Sequence, residues 1–360
     1  MVTPPTRCPR KPIASPVMEQ RHLGRTGLRV SRLGLGTMTW GRDTDEHEAA
    51  DQLKTFLDAG GTLIDTADVY GDGDAEYIIG RMVEGIRSDV VIATKAVSVP
   101  FGPRRFDASR RHLLNALDAS LKRLGTDYID LWQLHAYDAA TPLEETLSAL
   151  DAAVASGRAR YVGVCNYTGW QLARAATWQS ADFGRAPIAS AQMEYSLLQR
   201  GVEREVQPAA VDLGIGLLPW SPLGRGVLTG KYRSGVPADS RAASPMFAPF
   251  VEQYLDGPSD GIVDAVMIAS DGLGVAPLEV ALAWVRDRPG VTAPIVGART
   301  VAQLRGSLNA ESLTLPREIR EALDDVSEPE IGYPEHTWQP ARPRLVPHQP
   351  HQPHQPHQAQ

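Results

Sequence analysis

Residues 129–166 read IDLWQLHAYDAATPLEETLSALDAAVASGRARYVGVCN, and this stretch decides the fold class. Its opening, IDLWQLHA (129–136), and its close, RYVGVCN (160–166), are short apolar runs of strand character. Between them PLEETLSALDAAVASG (142–157) spaces Leu, Ala and Val at helical intervals. That run ends on Gly157, a residue that tolerates the left-handed backbone closing a helix. Strand, helix and strand in so short a span make a βαβ unit, whose two strands run parallel.

The same alternation extends in both directions. RLGLGTM (32–38), TLIDTAD (62–68), VVIATKA (90–96), IASAQMEY (188–195), IGLLPWS (215–221) and TAPIVGA (292–298) bring the candidate strands to eight. DEHEAADQLKTFLDAG, SRRHLLNALDASLKRLG and VAQLRGSLNA supply further helices, with Gly60 and Gly125 closing the first two. Eight such units suit a doubly wound sheet or a closed (β/α)8 TIM barrel. The strand count and the barrel's norm of about 250 residues favour the barrel. The dinucleotide fingerprint of the doubly wound fold is also missing: Gly34-Leu35-Gly36 has no glycine three residues on, and Gly272-Leu273-Gly274 meets Pro277 there. Before the first strand, RHLGRTGLRVS (21–31) predicts a β-hairpin that turns at Gly27 and caps the barrel's closed bottom. Residues 222–260, rich in Gly, Pro and Ser, read as a long functional loop.

Composition bounds the rest. The chain has 360 residues, 42% hydrophobic and 22% charged, as expected of a globular protein with a substantial core. Of 28 prolines, five fall in residues 1–17 and eight in residues 329–360. The expected division is therefore a disordered Pro-rich head (1–17), one folded domain (18–328), and a disordered Pro/His/Gln-rich tail (329–360). Met18 stands where foldable sequence begins, so translation is expected to start there. Net charge is −7, and because the head is basic the body is more acidic still. Such a body repels phosphate backbones, and nucleic acid is not an expected partner. No run is long and apolar enough for a membrane-spanning helix, and the head lacks a signal peptide's apolar core. Two cysteines, Cys8 and Cys165, cannot make a disulfide framework, so a reducing cytoplasm is the expected location. The tail repeat PHQPHQPHQPHQ would align His348, His351, His354 and His357 along one edge of a polyproline II helix; a solvated linker-like tail is the favoured reading, and metal capture by that edge the minor alternative.

Chemistry-bearing residues stand at the C-terminal strand ends, which converge on one face of a barrel. Strand two ends at Asp65, three at Lys95, four at His135 and five at Asn166; strand six carries Gln192, seven ends at Trp220-Ser221, and Arg299 follows eight. An Asp and a Lys on neighbouring strands tolerate burial as a pair. Tyr70 follows in DTADVYGDG. A phenol titrates near 10, and a cation beside it lowers that value. Lys95 can supply the cation, Asp65 can orient Lys95, and His135 can hydrogen-bond the phenol or a substrate. Together they form a tuned general acid for a developing alkoxide. Read alone, Asp65 and Lys95 are more often a structural ion pair, and it is Tyr70 and His135 in the right chain order that favour the catalytic reading. Trp40 after strand one and Tyr137 after strand four could wall the substrate pocket or merely pack at the rim.

With LIDTADVYG, VVIATK, DLWQLH, YVGVCNY, QMEYS and PWSPLGRGVLTGKY in this order, the chain resembles the aldo-keto reductases from Met18 to Val326. The resemblance implies an NADPH-dependent reductase in a TIM barrel, with Asp65, Tyr70, Lys95 and His135 as the catalytic tetrad and no metal ion. It further implies that Asn166 and Gln192 bind the nicotinamide carboxamide and that Trp220 stacks on the nicotinamide. Ser221, Leu223, Gly226 and Lys231 would line the pyrophosphate channel, and Gly297, Arg299 and Gln303 the adenosine end. Arg299 can fork onto a 2′-phosphate, which favours NADP over NAD. Two positions depart from the pattern: Cys165 replaces the family's serine before the asparagine, and Ser307 stands where related sequences carry an asparagine. The expected partner is a small carbonyl or alcohol substrate. The resemblance extends to potassium-channel β subunits, so a cofactor-binding regulatory protein with little turnover is the alternative. A carboxylate or metal hydrolase is weaker, because Asp65 and Asp68 are only three apart and no His-x-His pair ends a strand. Oligomeric state is not legible.

Overall fold

The computed structural model describes residues 18–337 apart from positions 101, 239, 245, 246, 256, 331, 335 and 336. Cys8 and the rest of the Pro-rich head lie outside the described residues, as does the histidine edge from His348 to His357. By its internal contacts the chain divides into Met1–Glu328 and Pro329–Gln360.

Two strands, β1 (Gln20–His22) and β2 (Arg29–Ser31), form an antiparallel hairpin. Its turn differs from expectation: Gly24 (φ 56°), rather than Gly27, takes the left-handed conformation. A Cβ at Gly24 would stand 2.4 Å from the carbonyl oxygen of Gly214, so backbone meets backbone there and only glycine fits. The contact is fixed by the Arg25 amide, which donates to that same carbonyl at 2.8 Å.

All eight expected strands form: β3 (Gly34–Gly36), β4 (Leu63–Asp65), β5 (Val91–Ala96), β6 (Ile129–Leu134), β7 (Ala159–Cys165), β8 (Ile188–Glu194), β9 (Gly216–Trp220) and β10 (Ile295–Gly297). They pair in parallel in the order β10-β3-β4-β5-β6-β7-β8-β9. The seam between β9 and β10 is closed by a parallel bridge from Leu217 to Val291. The result is a nearly closed (β/α)8 barrel. Inside its lower half Leu63, Leu131, Leu218 and Ile295 converge, and Leu23 and Val30 of the hairpin plug the end. Each of those two plugs is fully buried and contributes about 1.5–3 kcal/mol.

Helices coat the outside because one stripe of each is apolar. In α1 (Glu46–Asp58), for example, Ala49, Leu53 and Phe56 are buried. Asp45 starts it by accepting the Glu48 amide, and Gly60 (φ 83°) lets the chain leave. The remaining helices are α2 (Asp74–Met82), α3 (Arg110–Leu124), α4 (Leu143–Ala155), α5 (Gly169–Ser180), α6 (Val206–Leu213), α7 (Ala248–Glu252), α8 (Pro258–Leu273), α9 (Pro277–Arg286), α10 (Val301–Asn309) and α11 (Arg317–Val326). Residues 222–260 are therefore not one irregular loop: they hold a 3-10 turn at Gly224–Thr229, α7, and the start of α8. No single helix among the described residues is long and apolar enough to cross a membrane.

Candidate active site

A cavity of about 730 Å³ opens at the C-terminal ends of the barrel strands, within the size range of ligand sites. At its floor Lys95 of β5 and Asp65 of β4 are both buried and bonded, Nζ to Oδ2, at 2.7 Å. Lys95 also donates to the Thr66 carbonyl at 2.7 Å, and Gln192 of β8 donates to Asp65 Oδ1 at 2.7 Å. A buried pair is tolerable only when its remaining polar capacity is used, and here it is. Burial works against the charge on Lys95, but Asp65 outweighs it and holds the ammonium firmly protonated.

Above this pair stands Tyr70, its ring centroid 5.1 Å from Lys95 Nζ and 6.1 Å from the His135 ring, edge-on. Burial raises the phenol's pKa, and Lys95 pulls it down without reversing the rise. The expected net lowering is therefore corrected: in this cavity desolvation of a phenolate costs more than one cation returns. Tyr70 is held as a proton donor. Burial, reinforced by Lys95, drives His135 down to about 3, so its imidazole is neutral at physiological pH. Its Nδ1 is buried with no hydrogen-bond partner among the described residues.

Nearer the rim, Asn166 (φ 57°) and Trp220 are joined: the indole Nε1 donates to Asn166 Oδ1 at 3.0 Å. Asn166 Nδ2 in turn donates to the His135 carbonyl at 3.0 Å. Ser221 (φ 51°), Arg225 (φ 58°) and Gly226 (φ 94°) bring left-handed backbone into the cavity wall, and Gly224 (φ 53°) precedes the last two in the same turn. A Cβ at Gly226 would stand 3.1 Å from Lys231 Nζ, so the glycine keeps that ammonium's approach open. Strained backbone of this kind collects at ligand clamps. Leu223, Gly297, Arg299, Gln303 and Ser307 share the same wall. Lys231 and Arg299 have no carboxylate partner among the described residues. Two unpaired cations and a glycine-rich turn in one cavity form a donor set that fits a phosphate-bearing dinucleotide.

These observations, with the eight-stranded barrel, meet a match to the aldo/keto reductase family over residues 32–328. The chain belongs to the aldo/keto reductase family. It is similar to an uncharacterised oxidoreductase, YrpG, of Bacillus subtilis (strain 168), 41% identical over 86% of this chain and 96% of that protein. The aldo-keto reductase YhdN of the same organism is 33% identical over 88% and 96%. A probable voltage-gated potassium channel subunit beta of Arabidopsis thaliana is 37% identical over 81% and 91%. This aldo/keto reductase is therefore placed among oxidoreductases whose relatives include proteins named as channel subunits.

Two expected pocket walls are corrected. Trp40 is fully buried outside the cavity, its Nε1 donating to Gln52 of α1 at 3.1 Å. A buried indole N–H needs an acceptor, and Gln52, which does not line the cavity, supplies it. Met38 and Thr39 face the cavity instead. Tyr137 packs edge-on against Tyr167 and Trp170, at 5.3 and 5.9 Å, and does not line the cavity. Burial pushes the Cys165 thiol well up, which leaves it unreactive.

Other lining residues were not expected. Ser98, Arg105 and Phe106 come from the segment after β5, and Phe250 comes from α7. Phe250 stacks on Trp220 (6.2 Å, 11°), while Arg225 lies 3.4 Å from the Phe250 centroid and pairs with Glu194 at 2.7 Å. The cluster of aromatics around PMFAPFVEQY (245–254) was the available signal, but its target lies on a distant strand.

Proposed function

We propose that this protein is an NADPH-dependent reductase of aldehydes or ketones in which Tyr70 is the general acid. One arrangement carries the reading: a phenol facing the cavity, with the Lys95 ammonium 5.1 Å from its ring centroid and bonded to Asp65 at 2.7 Å. When bound, the cofactor supplies the hydride. Asn166 and Gln192 would hold its carboxamide and Trp220 its nicotinamide ring. Ser221, Leu223, Gly226 and Lys231 would line its pyrophosphate, and Gly297, Arg299 and Gln303 its adenosine end.

The chain's own residues then handle the proton. A carbonyl oxygen beside Tyr70 accepts the hydroxyl hydrogen as negative charge builds on it, leaving a phenolate that the Lys95 ammonium stabilises. Asp65 keeps that ammonium charged and aimed, and Gln192 keeps Asp65 aimed. His135, being neutral, orients the carbonyl through one ring N–H and does not act as an acid. Arg299 supports NADP over NAD. The cytoplasm is the compartment this reading implies.

The test is NADPH consumption over a panel of aldehydes and ketones, with Tyr70→Phe alongside. Turnover that falls about 10²–10⁴-fold in the variant supports the acid role. Undiminished turnover in Tyr70→Phe overturns it.

A second reading is a cofactor-binding regulatory subunit, favoured by the 37% identity to a protein named as a channel β subunit. It is distinguished by tight NADPH binding, read from tryptophan fluorescence, without consumption on any carbonyl.

A further inference from the structure

Among the described residues, five charged side chains line the cavity: Asp65, Arg105, Arg225, Lys231 and Arg299. The single acid among them is already committed to Lys95, and Arg225 is neutralised by Glu194. Lys231 and Arg299 stand on the wall assigned to the cofactor. Arg105 remains. Its neighbour Arg104 is paired with Asp107 at 2.7 Å, but Arg105 has no carboxylate partner among the described residues. Its guanidinium instead lies 5.3 Å from the centroid of Phe106, which also faces the cavity.

The backbone is built to hold it there. Val97, at the end of β5, adopts φ 111°, a conformation that a β-branched residue rarely accepts. The chain then folds back on itself: the Val99 amide donates to the Arg105 carbonyl, and the Asp107 amide to the Val97 carbonyl, each at 2.9 Å. A bridge between Ser98 and Phe106 completes the fold-back. Strain of this order persists only where surrounding contacts over-determine it, and it clusters at ligand clamps. The outcome is an exposed cation on an aromatic platform, lining the same cavity as Tyr70 and His135.

We propose that Arg105 is an anion-reading subsite, so that the substrate is a carbonyl compound with an apolar or aromatic body and a carboxylate. Phe106, Phe250 and Met38 provide the apolar walls, and the guanidinium fork matches one carboxylate. In a chain of net charge −7, a cavity this rich in cations also draws anions from solution. The inference rests on the reductase reading for its carbonyl and on Arg105 alone for its charge.

The experiment compares 3- and 4-carboxybenzaldehyde with the matching neutral formylbenzamides, at low and high salt. For at least one acid, kcat/KM should exceed that of its amide by roughly 10- to 100-fold at low salt. In Arg105→Met that ratio should collapse to near one, with an unchanged Tm confirming the fold. A ratio near one in the native chain, or a ratio that survives Arg105→Met, overturns the subsite. Quenching of tryptophan fluorescence by terephthalate provides a readout without turnover. If no carbonyl is reduced but terephthalate binds in an Arg105-dependent way, the reductase reading fails and the anion subsite stands. If terephthalate binds equally well to Arg105→Met, the subsite fails whatever the activity.

Discussion

The side-chain amide of Gln192 donates to Oδ1 of Asp65 at 2.7 Å, although 127 positions separate the two residues. With Lys95 on the other oxygen, the carboxylate has a partner on both sides, and the floor of the cavity becomes one bonded unit. Residues from three barrel strands are thereby locked together beneath Tyr70.

Breaking that unit should be costly. Asp65→Asn leaves the Lys95 ammonium buried without a counter-charge, and loss of one partner of such a pair costs roughly 3–5 kcal/mol. Urea unfolding should show this destabilisation in the single variant. Asp65→Leu combined with Lys95→Met should recover much of it while remaining inactive. A single variant as stable as the native chain would show that the lysine finds water instead.

The pH profile of the proposed reduction follows from His135 and Tyr70. His135 titrates at about 3 when folded, against 6.5 in its ordinary state, and the Tyr70 phenol stays protonated above its usual range. Neither group changes charge between about pH 5 and 9, so kcat/KM should be flat there. A limb centred near 6.5 would mean that the imidazole is solvated and titrating. The same depression makes folding less favourable in acid: below 6.5 the unfolded chain takes up a proton on this histidine that the folded chain refuses.

Asp68 should produce the opposite stability trend. Burial, reinforced by Glu76, raises its carboxyl to about 7, while Arg123, the Val69 amide and Lys95 oppose the rise, and Oδ1 has no hydrogen-bond partner among the described residues. Between 3.8 and 7 the folded chain binds the extra proton, so stability falls as pH rises through that window. Asp68→Asn removes the penalty. Its Tm gain over the native chain should be larger near pH 8.5 than near pH 5, by a few degrees. An equal difference at both values would mean that the carboxyl is already ionised at pH 5.

Trp40→Phe separates packing from recognition. The indole is fully buried against Gln52 and lies outside the cavity, so the variant should lose stability with KM for carbonyl substrates unchanged. The expected loss is about 1–3 kcal/mol, from a buried amide left unpaired and the lost ring volume. Chemical denaturation and steady-state kinetics on one preparation decide it. A raised KM with intact stability would return Trp40 to the pocket.

Glu194→Gln should loosen the strap over the site. Glu194 holds Arg225, which donates to the Phe250 carbonyl and lies against its ring, and Tyr254 also donates to Glu194 at 3.0 Å. Amide hydrogen exchange in residues 247–255 should quicken in the variant, while exchange in β5 and β6 stays unchanged. Uniform quickening through the barrel would indicate global destabilisation instead.

How much of this was legible in the sequence follows from what each signal depends on. The eight strands, α1, α3, α4 and α10, and the closing glycines at 60, 125 and 157 depend on local preferences: apolar period, β-branching and tolerance of positive φ. Those act within a few residues, so they can be read along the chain. The strand-end residues were legible for a related reason, because a parallel barrel brings every C-terminal end to one face whatever lies between. Side-chain direction in the connecting segments is different. Trp40 turned inward because Gln52 offered its N–H an acceptor from a neighbouring helix, and Gly24 rather than Gly27 bent the hairpin because the backbone of Gly214 approached it. Phe250 and Arg105 reached the cavity only through Glu194 and the strained turn at Val97. The raised pKa of Tyr70 likewise came from burial, which exists only once the barrel has closed. Local backbone preference therefore settled the architecture, and long-range packing settled which side chains meet inside it.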